Sequence, residues 1–104
     1  MVKKINEQEF QAEACAADAA VVDFSAVWCG PCRMLAPVLE EVSEEMEDRV
    51  SFYGVDVDEC PGLAEKFRVR SVPCLVLLKK GVFVDQSVGF LPKNEVEAWI
   101  RKSL

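Results

Sequence analysis

Histidine is absent from these 104 residues, which removes the side chain that titrates nearest neutral pH and one of the commonest zinc ligands. Any proton transfer then falls to carboxylates or thiols. Glycine and proline contribute only five residues each, and no Gly/Ser-rich linker, internal repeat or low-complexity tract divides the chain. One domain over residues 1–104 is the expectation, long enough to bury its own core. Long apolar runs are also missing. The longest, Val72 to Leu78, is far too short to cross a bilayer, and the Met1-Val2-Lys3-Lys4 start leads into polar residues rather than the apolar stretch of a secretory signal. Basic charge is in deficit, with 12 Lys and Arg against 18 Asp and Glu. A net charge of -6 opposes binding to nucleic acid or an anionic membrane and favours solubility. With no long exposed apolar segment, a monomer is the default expectation.

Cysteine is plentiful by comparison, at positions 15, 29, 32, 60 and 74. An odd number does not suit a secreted scaffold held by paired bridges, so a reducing, cytoplasmic setting is expected.

The hydrophobic periodicities alternate between two and about 3.6 residues. Val2 to Ile5 reads as a short strand, and Asn6 with Glu9 forms a capping-box pattern opening a helix through about Ala17, with Phe10 and Ala14 on one face. Ala20 to Val27 reads as a strand covered on both sides, because Ala20, Val22, Phe24 and Ala26 point one way while Val21 and Val27 point the other. Asp23 falls on that second apolar face and is the most unexpected charge in the chain. Leu35, Val38, Leu39, Val42 and Met46 recur at helical spacing, with Pro37 expected to kink the helix. A strand from Val50 to Val57 can return parallel to the first as a right-handed βαβ unit. Cys60-Pro61 then opens a short helix to about Phe67. Two strands, Cys74 to Lys79 and Val82 to Val88, flank a Lys80-Gly81 hairpin turn, and a last helix from Pro92 carries Val96, Trp99 and Ile100 on one face. The sum is an α/β arrangement, a mixed sheet of about five strands flanked by four helices in the order βαβαβαββα.

Cys29 and Cys32 are the chemical centre of this pattern. Two thiols separated by two residues can close a small disulfide. The first stands where a helix starts, among unpaired amide donors and the positive end of the helix dipole, which stabilise a thiolate. Cys29 is therefore expected to be the nucleophile, and Cys32, one turn inward and better shielded, the sulfur that resolves the mixed disulfide. Pro31 stiffens the loop between them. The same spacing is half of many zinc sites, but the other half is missing here. A purely structural disulfide is the other alternative, against which the absence of a secretory signal counts.

The run Val22-Asp23-Phe24-Ser25-Ala26-Val27-Trp28-Cys29-Gly30-Pro31-Cys32-Arg33-Met34, with Pro37 after it, closely resembles the thioredoxin family. Agreement continues through Val55-Asp56-Val57-Asp58, Val72-Pro73, Lys80-Gly81 and Val88-Gly89, so it covers nearly the whole chain. The resemblance implies the thioredoxin fold and a protein disulfide reductase that cycles through the Cys29-Cys32 disulfide with no bound cofactor. Its implied partners are a thioredoxin reductase and disulfide-containing target proteins. It further implies that Asp23 is a buried carboxyl exchanging a proton with Cys32. Pro73 would be cis, with Val72 before it offering backbone hydrogen bonds to an extended substrate. Trp28, Gly30, Pro31, Val72, Pro73 and Gly89 would then form a flat, uncharged docking surface, with Trp28 partly exposed. Ser25 stands where many members carry tryptophan, and Gly54 where many carry lysine, which should loosen packing under the loop and leave Asp23 without a counter-charge.

The other cysteines are read separately. Cys74 is either a small buried apolar side chain or a thiol able to bridge to Cys29. Cys60, before Pro61, is expected at a helix start that lowers its pKa and exposes it to oxidation. Cys15 is expected simply to pack. Three competing functions share the chain's features: an oxidase or isomerase of the same fold, from which Gly30-Pro31 points away toward the reducing members; a zinc module; and a non-catalytic binding scaffold.

Overall fold

A computed structural model describes all of residues 1–104. Five strands form one sheet: β1 (Val2–Lys4), β2 (Ala19–Ser25), β3 (Ser51–Asp56), β4 (Cys74–Lys79) and β5 (Val82–Val88), in the order β1-β3-β2-β4-β5. β1 and β2 run parallel to β3, whereas β4 runs antiparallel to both β2 and β5. The helices are α1 (Glu7–Glu9), continued as a wider π-helical stretch over Phe10–Ala14, α2 (Gly30–Met46), α3 (Pro61–Lys66) and α4 (Lys93–Ser103). Element order follows the sequence expectation, except that the first helix, expected through about Ala17, widens to π-helical geometry from Phe10 and ends at Ala14.

β2 lies at the centre of the sheet and explains its own composition. Alternate residues enter opposite cores: Ala20, Val22 and Phe24 join Phe10, Leu63 and Val76 on one face, while Ala19 and Val21 join Leu35, Leu39, Val42, Val96 and Ile100 under α2 and α4 on the other. Burying each large aliphatic or aromatic side chain in this way contributes roughly 1.5–3 kcal/mol before the entropy of ordering is subtracted. The strand ends sooner than its apolar run. Pairing stops at Ser25, and Val27 is 75% exposed, because the chain leaves the sheet there to begin the cysteine loop.

Local signals set the boundaries. Asn6 accepts from the Glu9 N–H at 2.9 Å and the Glu9 carboxylate accepts from the Asn6 N–H at 3.1 Å, closing the capping box. Asn6→Ala is expected to lower stability by about 1 kcal/mol, measured by urea denaturation, with no effect on disulfide chemistry. Lys80 and Gly81 both have positive φ, at 51° and 80°, the conformation a two-residue hairpin turn needs. α2 continues through Pro37 as one helix.

The end of α3 departs from local preference. Val69 donates its N–H to the Ala64 carbonyl at 2.8 Å and Arg68 donates to Glu65 at 3.0 Å, which is the Schellman closure of a helix C-terminus. Its left-handed position, φ 55°, is held by Arg68. Glycine is usual there, and a residue with a Cβ costs roughly 1–2 kcal/mol more. No helix is long and apolar enough to cross a membrane.

Candidate functional site

The end of β2 and the start of α2 bring Cys29 and Cys32 together as a disulfide, with Cα atoms 5.3 Å apart. Cys29 is the N-cap of α2, and its Sγ accepts the N–H of Cys32 at 3.2 Å. An amide that the helix itself leaves without a partner is thus directed at this sulfur. The Cys29 Sγ also lies 3.6 Å from the carbonyl oxygen of Val72. Ala26, Cys29 and Cys32 pack as a small cluster against Val57 and Val72. One expectation needs correction: the two cysteines are equally enclosed, at 5% and 4% exposure, so shielding does not tell them apart. The N-cap position and the contact with Val72 do.

Around the disulfide, Trp28 is 65% exposed, Gly30 and Val72 are half-buried, Pro31 is exposed and Pro73 is buried. The Val72–Pro73 peptide bond is cis. Gly89, with φ 97°, donates its N–H to the Pro73 carbonyl at 2.8 Å, so the loop after β5 is tied to the loop before β4. The residues singled out from the sequence therefore meet on one face. Sequence reasoning gave no role to Asp58, whose carboxylate accepts the Trp28 indole N–H at 2.8 Å and fixes the ring. Its signal was present in Val55-Asp56-Val57-Asp58 as a second, otherwise unexplained acid. Exposed Val88 and Phe90 flank Gly89 and add apolar surface beyond the glycine expected there.

Asp23 is 7% exposed, lies on the α2 side of β2, and is paired in register with Gly54 and Leu75. Its Oδ1 has no hydrogen-bond partner and no cation is paired with it. Burial alone pushes the carboxyl up from 3.8 to about 7. A pocket of about 270 Å³ reaches the group between Ser25, Gly54, Lys4 and Asp56, and Lys4 turns instead to Glu59 at 3.1 Å. The small residues at positions 25 and 54 leave this opening, in keeping with the looser packing expected there.

Cys60 does not follow the sequence expectation. It is 4% exposed, and burial, assisted by Glu7, Glu59 and Asp56, raises its pKa rather than lowering it. Carboxylates and desolvation outweigh a helix of only one and a half turns. Cys74 is fully buried, and its thiol is likewise pushed up by burial. Cys15 is half-buried against the core, as expected. No three Cys, Asp or Glu side chains converge as a metal site.

A disulfide at the N-terminus of a helix, flanked by a cis-proline loop on a mixed sheet, defines a thiol-disulfide oxidoreductase. The comparisons narrow the class. The family model Thioredoxin matches residues 1–102. Thioredoxin of Bacillus subtilis (strain 168) is 44% identical over 103 residues, covering 99% of this chain and 98% of that protein. Thioredoxin of Rickettsia prowazekii (strain Madrid E) is 38% identical over 105 residues with complete coverage of both chains, and Thioredoxin 2 of Chlorobaculum tepidum is 46% identical over 91 residues, 86% of this chain and 84% of that one. The chain belongs to the thioredoxin family. Its activity is thiol-disulfide reduction, and its redox-active group is the Cys29-Cys32 disulfide.

Proposed function

We propose that the chain works as a single-domain, monomeric, cytoplasmic protein disulfide reductase in which Cys29 attacks and Cys32 resolves. The Cys29 thiolate displaces one sulfur of a substrate disulfide, forming a Cys29-substrate bond and releasing a thiolate. Cys32, deprotonated, then attacks the Cys29 sulfur, closing the internal disulfide and releasing the second substrate thiol. Two electrons pass to the substrate. Asp23 takes the Cys32 proton in the second step. Trp28, Gly30, Pro31, Val72, Pro73 and Gly89 receive an extended substrate, and a thioredoxin reductase returns the pair to the dithiol.

The observation that supports the order of attack is the Cys32 amide directed at the Cys29 sulfur, since a donor there favours the thiolate of Cys29. Reduction of insulin disulfides, run with an NADPH-dependent flavin reductase and a ferredoxin-dependent one in turn, tests the cycle. One of the two is expected to sustain many turnovers. If the chemically reduced protein left insulin intact, reductase activity would be excluded; if it cleaved insulin but neither enzyme recharged it, only the partner assignment would fall.

A further inference from the structure

Beside the disulfide face lie two adjoining hollows. The nearer, about 340 Å³, is lined by Trp28, Val57, Val69, Arg70, Ser71 and Val72. The farther, about 540 Å³, shares Val57, Val69 and Arg70 with it and continues to Arg68, Pro61, Ala64 and Glu65. Together they make one trough leading away from the Val72 carbonyl that touches the Cys29 sulfur. Val57, Ala64, Val69 and Val72 give it apolar lining, and Arg68 and Arg70 stand along it.

Most of the other cations have partners, and Arg49, Lys80 and Lys102, which have none, line neither hollow. Lys3, Lys4, Lys93 and Arg101 are in ion pairs, Arg33 donates to the Val27 carbonyl, and Lys66 lies over the Phe10 and Phe67 rings. Arg68 and Arg70 are exposed and have neither an ion pair nor a side-chain hydrogen bond, even though Glu65 lines the same trough. Arg68 also keeps its side chain at a left-handed position where glycine would be less strained.

We propose that this trough takes an acidic stretch of substrate polypeptide on one side of the target disulfide, with Arg70 and Arg68 reading its carboxylates. The proposal rests on the reductase function above. It gives a chain of net charge -6 a local means of attracting substrates that its overall charge would repel.

Three disulfide peptides test it, identical except for three glutamates before the disulfide, three after it, or glutamines at both places. The protein is reduced chemically beforehand, so no recycling enzyme enters. At low ionic strength, one glutamate peptide and not the other should be reduced with a single-turnover second-order rate constant about fivefold above that of the glutamine peptide, the scale of two exposed ion pairs. The advantage should fade as salt is added. It should be lost in the double variant Arg68→Gly/Arg70→Gln and retained in Arg68→Lys. The melting temperature of Arg68→Gly should be no lower than that of the parent, which removes misfolding as the explanation. Equal rates for all three peptides, or a preference that survives in the double variant, would overturn the proposal while leaving the reductase function standing. Failure to reduce any peptide would overturn both.

Discussion

Cys29→Ser is expected to reduce insulin disulfides no faster than buffer, a loss of roughly a thousandfold or more, whereas Cys32→Ser is expected to attack once and stop. The two variants differ because the steps differ. A serine hydroxyl at position 29 stays protonated at neutral pH even beside the Cys32 amide that now faces the sulfur at 3.2 Å, so no first bond forms. With serine at position 32, the first bond forms normally, but nothing nearby can attack the Cys29 sulfur. The mixed disulfide should accumulate and be visible by mass spectrometry as a one-to-one covalent adduct. Cys74 and Cys60 offer no bypass, since both are buried and both thiols are pushed up toward the protonated form. If Cys32→Ser accumulated no adduct and turned over as the parent does, the roles of the two sulfurs would have to be reassigned.

Most of the fold was legible because its determinants are local. The double-sided apolar pattern of Val21 and Val22 can only belong to a central strand, and the Asn6-Glu9 pair and the Lys80-Gly81 turn mark their own boundaries. Val27 is exposed although its hydrophobicity matches the strand, because hydrophobicity does not distinguish a residue buried in a sheet from one left in solvent where the chain departs from it. Cys60 misled for a different reason. The benefit of a helix terminus depends on the charges around it, and Glu7 comes from a helix more than fifty residues away in sequence. The tie between Gly89 and Pro73 and the bond from Trp28 to Asp58 were likewise out of reach, because each joins loops that meet only once the sheet has formed. The Cys29-Cys32 pair was readable from its spacing, while the arginine-lined trough beside it was not.

Asp23→Asn is expected to change both stability and rate, with opposite signs. In the folded protein the carboxyl titrates at about 7 rather than 3.8, for no cause but burial. Below about pH 4, folded and unfolded chains both hold the proton and the residue costs nothing. Between the two values the unfolded chain releases its proton while the native one retains it, so stability falls as pH rises, and above about 7 the loss is complete at roughly 4 kcal/mol at most. An asparagine carries no such penalty. Urea denaturation of the oxidised variant should therefore show a gain of about 2–4 kcal/mol at pH 8 that shrinks toward zero at pH 4. Turnover should move the other way, because above neutral pH the parent has a carboxylate ready to take the Cys32 proton and the variant has none. The deficit should be largest above pH 7, and the inflection near 7 should vanish from the rate profile. A stability gain independent of pH would show that Asp23 is not held protonated by burial, and an unchanged rate profile would remove it from the proton transfer.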